Sequence, residues 1–473
     1  MTMPSFMHRL AISAVAAILT NPCGADDLRD IYALAIKNDA KWLGAAASCE
    51  ANLDTEKLAR AHLLPQVSAE GSYSGSHRLQ NQSETTVGPN GFQNTPLRNE
   101  QTLREGAWDV SLSQPLFDLP SWFNFKSGQA VSEQARAQLA YEQQELIIRV
   151  ADSYFAVLRA EDNLLSSRSE EQAYREQFDQ ADGRFHSGIA AITDVDQARA
   201  AWDASRAQRV TDEGDLETAY AGLTQITGQL HRRVARLRAQ FPIALPEPDD
   251  YAIWLQRALD GNYALKAAFH AMRSAEETAA SKCAEYLPKV TGSLSYQESD
   301  VSGRQMLNPD SPFLNPPGLE SHTRMAAIKV SMPLYSGGAT GAQAHQAYAQ
   351  YTAALEQKID TQRTVMQETR KKFIAANTDI ERIKARQQAI DSAQRALEAT
   401  EAGYRSGTRS IVDVITTQRA LSISKRDFAN ARYDYVMDVL HLKELSGQLN
   451  PQDIDELNRW LEDGDAASAQ RNG

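Results

Sequence analysis

The sequence predicts a mainly α-helical chain that carries four membrane-type β-strands and is built from duplicated halves. Three observations predict it. The chain matches itself at a separation near 220 residues, two stretches of more than 60 residues keep a helical pattern, and four short segments alternate apolar and polar side chains.

The N-terminus reads as an export signal. His8 and Arg9 precede an apolar stretch, Leu10 to Leu19, and small residues around Cys23-Gly24-Ala25 suit cleavage after Ala25. Cys23 offers a lipid-accepting alternative, but Pro22 directly before it fits a lipoprotein signal poorly. No apolar run reaches the roughly 18 residues that a membrane-spanning helix needs, which excludes helical spanning but not a barrel.

Each mature half is expected to run in one order: a helix of about 35 residues, a strand, a polar loop, a second strand, a long helix, a sharp break and another helix. The duplication rests on three collinear landmarks. Leu64-Pro65-Gln66-Val67 recurs as Leu287-Pro288-Lys289-Val290, and Ser113-Gln114-Pro115-Leu116-Phe117 as Ser331-Met332-Pro333-Leu334-Tyr335. Phe185-His186-Ser187-Gly188 with Ile192-Thr193-Asp194-Val195 recurs as Tyr404-Arg405-Ser406-Gly407 with Ile411-Val412-Asp413-Val414.

In the strands, Val67, Ala69, Gly71 and Tyr73 oppose Ser68, Glu70 and Ser72, while Trp108, Val110 and Leu112 oppose Asp109, Ser111 and Ser113. The second half repeats this with Val290, Gly292, Leu294 and Tyr296, and with Ala326, Ile328, Val330 and Met332. Apolar-out and polar-in is the pattern of a barrel with a watery lumen; a half-buried soluble sheet alternates in the same way. Segments 74–102 and 297–322, rich in Gly, Asn, Pro and Ser, are expected to be long surface loops.

After each second strand comes a long helix. Residues 118–183 lack an interior stop apart from Gly128, and a helix of that span is roughly 100 Å long. In its partner, 339–405, apolar residues recur every seven at Ile359, Met366, Phe373 and Ile380, then shift phase to Ile383, Ile390, Leu397 and Tyr404. That spacing means coiled-coil packing with local re-winding. The division is therefore 1–25 signal peptide, 26–228 first repeat, 229–262 a mixed segment, 263–446 second repeat, and 447–473 a C-terminal segment with a mobile tail.

Four strands cannot close a barrel, and open edges inside lipid leave backbone groups unpaired. If the strands span a membrane, several chains must share one barrel. Composition narrows function further. Lys and Arg total 49 against 61 Asp and Glu, a net charge of −12, which argues against nucleic acid as a partner. Three cysteines and nine histidines form no metal-ligand spacing, so no metal or cofactor is expected, and no nucleophile–base constellation points to an enzyme.

Several pieces carry a resemblance: Leu63-Leu64-Pro65-Gln66, Arg184-Phe185, Gly188, Ala191-Ile192-Thr193-Asp194-Val195, Ala198-Arg199-Ala200, Glu401-Ala402-Gly403-Tyr404, Gly407-Thr408-Arg409, Ile411-Val412-Asp413-Val414 and Ala429-Asn430-Ala431-Arg432-Tyr433. Over about 26–455 the chain resembles the TolC family of outer-membrane efflux and secretion channels, its TolC branch rather than the lipid-anchored one. The resemblance implies a homotrimer with a shared twelve-stranded barrel in outer-membrane lipid, continued by a periplasmic α-helical tunnel. It also implies docking on a periplasmic adaptor (membrane fusion) protein and an inner-membrane pump of the RND, MFS or ABC class.

The turns at Ser187-Gly188 and Ser406-Gly407 match the family's adaptor-docking tips. Gln177, Thr193, Asp194, Glu401, Tyr404 and Arg409 match positions of its periplasmic gate, where separable polar links hold the entrance closed. Asp413 matches the first of two acidic rings at the pore constriction, and Thr416 stands where the second would be. A pore-less coiled-coil structural protein is the competing expectation, which leaves the membrane-type alternation without a purpose.

Overall fold

The computed structural model describes residues 25–89, 91–306 and 318–462. The expected signal peptide, Cys23 and the tail beyond Glu462 therefore lie outside the described residues, Ala25 excepted.

Capping side chains divide what the sequence presents as one opening helix. α1 (Leu28–Asn38) starts at Asp27, whose carboxylate accepts the Asp30 N–H at 2.8 Å. Asp39 then turns extended, and its carboxylate accepts the Trp42 N–H at 2.6 Å, opening α2 (Ala40–Ala61). Asn262 repeats the device between α5 (Tyr251–Gly261) and α6 (Tyr263–Ala284), accepting the Leu265 N–H at 2.9 Å. The helix expected in each half is thus a pair, because a local side-chain cap competes with continuation. The second pair also reaches back into the 229–262 segment.

The strands exceed expectation. β1 (Gln66–Gly88) pairs antiparallel with β2 (Gly91–Phe117) from Gln66↔Ser113 to Gly88↔Gly91, so residues 74–88 and 91–102 form a ladder rather than a loop. β4 (Lys289–Met306) and β5 (Leu319–Ser331) likewise take up most of 297–322, of which 307–317 lies outside the described residues. Richness in Gly, Asn, Pro and Ser does not prevent pairing. The backbone ladder needs only partners, and side chains add cross-strand links such as His77 Nδ1 at 3.0 Å from Thr102 Oγ1.

The sheet order is β1-β2-β4-β5, with β2 joined to β4 across the two repeats and β1 and β5 left as edges. Register stacks Val67, Leu112, Leu294 and Ala326 in one row on the apolar face, and Ser68, Ser111, Ser295 and Met325 in the next on the other. Met325 interrupts the polar side. The apolar side ends at an aromatic pair, Trp108 and Tyr296, with centroids 5.3 Å apart and Arg324 over the Tyr296 ring. Ile328 and Val330 on this face are 73% and 65% exposed in the protomer.

The long helices are α3 (Leu119–His186), α4 (Ile192–Thr227), α7 (Ala339–Arg405) and α8 (Ile411–Leu445). Pro120 falls in the first turn of α3, where its missing N–H is tolerated. No described helix is long and apolar enough to cross a membrane.

Two compact units cut across the repeats instead of separating them. Of the described residues, one takes 25–43, 143–260 and 368–462. Its core buries Leu146, Ile147, Val150, Tyr154 and Leu158 of α3 among Leu28 and Ile31 of α1, Leu223 of α4 and Tyr433, Val436 and Leu440 of α8. A small sheet beside this core pairs β3 (Arg236–Leu237) with β6 (Leu461–Glu462), just past α9 (Pro451–Asn458); Asp26 bridges Val234. The heptad stripe holds there: Ile380, Ile383, Leu397 and Tyr404 are buried.

The other unit takes 44–142 and 261–367. Small residues let its helices approach closely, with Gly128 of α3 against Ala59, Thr55 and Glu56 of α2, and Ser127 bonded to Ser274 and Thr278 of α6. Here the expected stripe residue Met366 is exposed, and Val365 is buried in its place. Cys49 is buried and Cys283 exposed, both as free thiols.

Candidate functional site at the helical turns

The α3–α4 and α7–α8 hairpins turn by the same local geometry. Gly188 (φ 74°) donates its N–H to Phe185 O at 2.8 Å, and Ile189 donates to Arg184 O at 2.9 Å. Gly407 (φ 80°) donates to Tyr404 O at 3.1 Å, and Thr408 to Gly403 O at 2.9 Å. Both are Schellman closures, which place a left-handed residue directly after the helix and so favour glycine. Ser187 and Ser406 donate their hydroxyls to Gly183 O and Gly403 O.

The helices that follow start differently. Ser410 and Asp413 form a reciprocal capping box on α8: the Asp413 carboxylate accepts Ser410 N–H at 3.1 Å, and Ser410 Oγ accepts Asp413 N–H at 3.2 Å. Hydrogen bonds from Ser410 hold the Asp413 carboxyl below the usual carboxylate range, so it is charged at neutral pH. Asp194 occupies the same place on α4, but its N-cap is Ala191, which has no side chain to offer. The Asp194 carboxylate makes no hydrogen bond or ion pair with the described residues, and is left available. Thr416 turns its hydroxyl inward to Val412 O at 2.7 Å.

Tyr404 closes the last turn of α7 and is buried, 6% exposed, with its hydroxyl unpartnered. Burial pushes its pKa up, Arg184 opposes the rise and Asp194 adds to it, so charges from α3 and α4 both act on the phenol. Gln177, also on α3, is buried with Oε1 unpartnered. Glu401 is half-buried, whereas Thr193 and Arg409 are exposed. Within one protomer Asp194 acts on Tyr404 through its charge alone, and Gln177 is buried. Thr193, Glu401 and Arg409 are not drawn into a shared side-chain network among the described residues.

Sequence reasoning missed Arg184 as a neighbour of this group. Its Nη1 donates to Tyr404 O at 3.0 Å, and its guanidinium lies 4.7 Å from the Tyr404 ring centroid. The available signal was its spacing, seven residues after Gln177 and so on the same face of α3. Further from the turns, Arg426 of α8 reaches Glu170 of α3 and Asp212 of α4 at 3.7 and 3.4 Å, and Arg209 of α4 bonds Glu171 at 2.5 Å. These charged pairs tie three helices together.

Such hairpins, joined to an antiparallel sheet with an exposed apolar face, define a class of channel-forming outer-membrane proteins, and comparison with known proteins agrees. The chain belongs to the outer membrane efflux protein family, whose pattern matches residues 31–229 and 254–448. It is an outer-membrane protein, and the family is one of transport channels. It is similar to the outer membrane protein TolC of Vibrio cholerae serotype O1, with 32% identity over 452 residues, 96% of this chain and 98% of that protein. TolC of Escherichia coli K12 is 31% identical over 92% of this chain and 85% of its own length. The alkaline protease secretion protein AprF of Pseudomonas aeruginosa is 25% identical over 100% and 94%. Among solved structures, the outer membrane protein VceC of Vibrio cholerae superposes with a TM-score of 0.71 at 17% identity, covering 89% of this chain and 96% of that one.

Proposed function

We propose that this chain is the protomer of a homotrimeric exit duct for efflux, type I protein secretion or both, exported with removal of residues 1–25. The carrying observation is the four-stranded sheet: two unpaired edges and an exposed apolar face are incompatible with lipid unless other copies complete the ring. Three copies supply twelve strands. The two repeats, 26–228 and 263–446, then supply equivalent helical hairpins to a tunnel, with 229–262 and 447–462 packed beside them.

The Schellman turns at Ser187-Gly188 and Ser406-Gly407 present rigid, exposed tips for a periplasmic adaptor, which links the duct to an inner-membrane RND, MFS or ABC pump. Asp194, free of a capping bond and with its charge acting on Tyr404, is the acceptor of the gate; Gln177, Thr193, Glu401 and Arg409 complete it across protomers. Exposed polar links are worth only about 0–1 kcal/mol each, so symmetry-repeated copies are needed to hold a closed state that a partner can still open. Asp413, charged and fixed by its cap, supplies a single acidic ring favouring cations.

Single-channel recording in planar bilayers tests this reading. Small discrete conductance steps are expected for the parent, larger steps for Asp194→Ala, and weaker cation selectivity for Asp413→Asn. Folded, inserted protein without steps would refute the duct. Unchanged steps in Asp194→Ala would remove the gate assignment alone.

A further inference from the structure

Arg184 makes two contacts that no other residue of the turns combines. Its backbone carbonyl accepts the Ile189 N–H at 2.9 Å and so closes the α3–α4 turn. Its side chain crosses to α7, donating from Nη1 to Tyr404 O at 3.0 Å with the guanidinium 4.7 Å from the ring centroid. Tyr404 O already accepts the Gly407 N–H that closes the α7–α8 turn. One residue therefore reaches the closing bonds of both turns.

The chemistry favours this arrangement. The last carbonyls of a helix carry partial negative charge and lack helical partners, so a guanidinium there is both donor and counter-charge. Over the tyrosine face the same planar cation is attracted by the ring quadrupole. A lysine supplies a point charge but not a plane that stacks while donating. The Tyr404 hydroxyl and Arg184 Nε are both buried without partners, so Tyr404 is fixed through its ring and its carbonyl, and its hydroxyl is kept for another acceptor. Asp194 of α4 acts on the same phenol through its negative charge.

We infer that Arg184 is a positioning residue of the gate: it fixes the direction of the Tyr404 hydroxyl toward Asp194 and couples displacement of the adaptor-docking turn at 187–189 to that link. The inference rests on the gate reading above. A partner that pulls on the α3–α4 turn moves Arg184 through its own carbonyl, and Tyr404 loses its brace as the turn opens.

Single-channel conductance of Arg184→Met, Tyr404→Ala and the double variant tests it, with Asp194→Ala as the reference for an open gate. Arg184→Met is expected to raise conductance several-fold, and Tyr404→Ala similarly. The double variant is expected to match Tyr404→Ala alone, because Arg184 acts through that side chain; a purely structural role would add to it. Arg184→Lys is expected to fall between parent and Arg184→Met, and this variant carries the test if Arg184→Met does not yield folded oligomer. Parental conductance in the Arg184 variants while Asp194→Ala and Tyr404→Ala open, or additive effects in the double variant, would overturn the inference. Parental conductance in Asp194→Ala and Tyr404→Ala would instead overturn the gate.

Discussion

Substituting Gly403 by alanine probes the proposed gate from inside a helix. By the repeat register Gly403 is the counterpart of Arg184, and the stem of Arg409 lies over it. A Cβ added there would meet Arg409 Cγ at 2.7 Å, Thr408 Oγ1 at 3.2 Å and Arg409 Cβ at 3.3 Å. Carbon atoms rest at about 3.5–4.0 Å, so the Arg409 stem has to move by about 1 Å. Cγ is not the free end of that side chain, so a terminal rotation does not relieve the clash. Overpacking typically costs about 1–3 kcal/mol. Alanine recovers about 1 kcal/mol of helix propensity, and the exposed 406–410 turn can yield. Stability therefore changes little while Arg409 is displaced from its proposed gate position. The assay pairs thermal unfolding of the purified oligomer with single-channel conductance. A midpoint within a few degrees of the parent and conductance above it are expected, with Asp194→Ala opening further. A parental midpoint with parental conductance would refute the claim that Arg409 must sit where Gly403 allows it.

Two other perturbations follow from packing and charge. Gly128→Ala places a Cβ 3.1 Å from Ala59 Cβ, 3.2 Å from Thr55 O and 3.3 Å from Glu56 Cα. None of these atoms can rotate away, so overpacking of about 1–3 kcal/mol exceeds the propensity gain, and denaturant unfolding should show a net loss; an equal or higher midpoint contradicts the close α2–α3 approach. Asp379, bonded to Arg382 at 2.7 Å, has its pKa pushed up to about 6 by burial, against the pull of Arg382, with Asp438 and Asp434 adding to the rise. A folded pKa above the unfolded value of 3.8 means the contribution is fully present below about pH 4 and lost as pH rises through 6. Thermal midpoints across pH 4–8 should therefore fall more steeply in the parent than in Asp379→Asn, and parallel curves would contradict the burial argument.

The parts of the fold that sequence made legible are those with long-range regularity. Heptads from Ile380 to Tyr404, alternation at Val67–Tyr73, and turn glycines at 188 and 407 each repeat a local rule often enough to be read. What escaped was decided by single side chains or by pairing. Asp39 and Asn262 each break a helix through one cap, invisible beside the surrounding helix-forming residues. The hairpins continue through 74–102 because each strand finds a partner, a property of two segments together. In the site, the landmark Ile-Thr-Asp-Val against Ile-Val-Asp-Val matched Asp194 to Asp413. Only the residue three positions earlier, Ala191 or Ser410, shows which carboxylate is capped and which is left available. Arg184 and Tyr404 are 220 residues apart, and no spacing rule joins them.

The most direct test of the shared barrel is the native mass of the mature protein extracted from outer membranes in mild detergent. The account predicts a particle of three chains, because four strands with two open edges cannot rest in lipid alone. A folded, membrane-inserted single chain would contradict it.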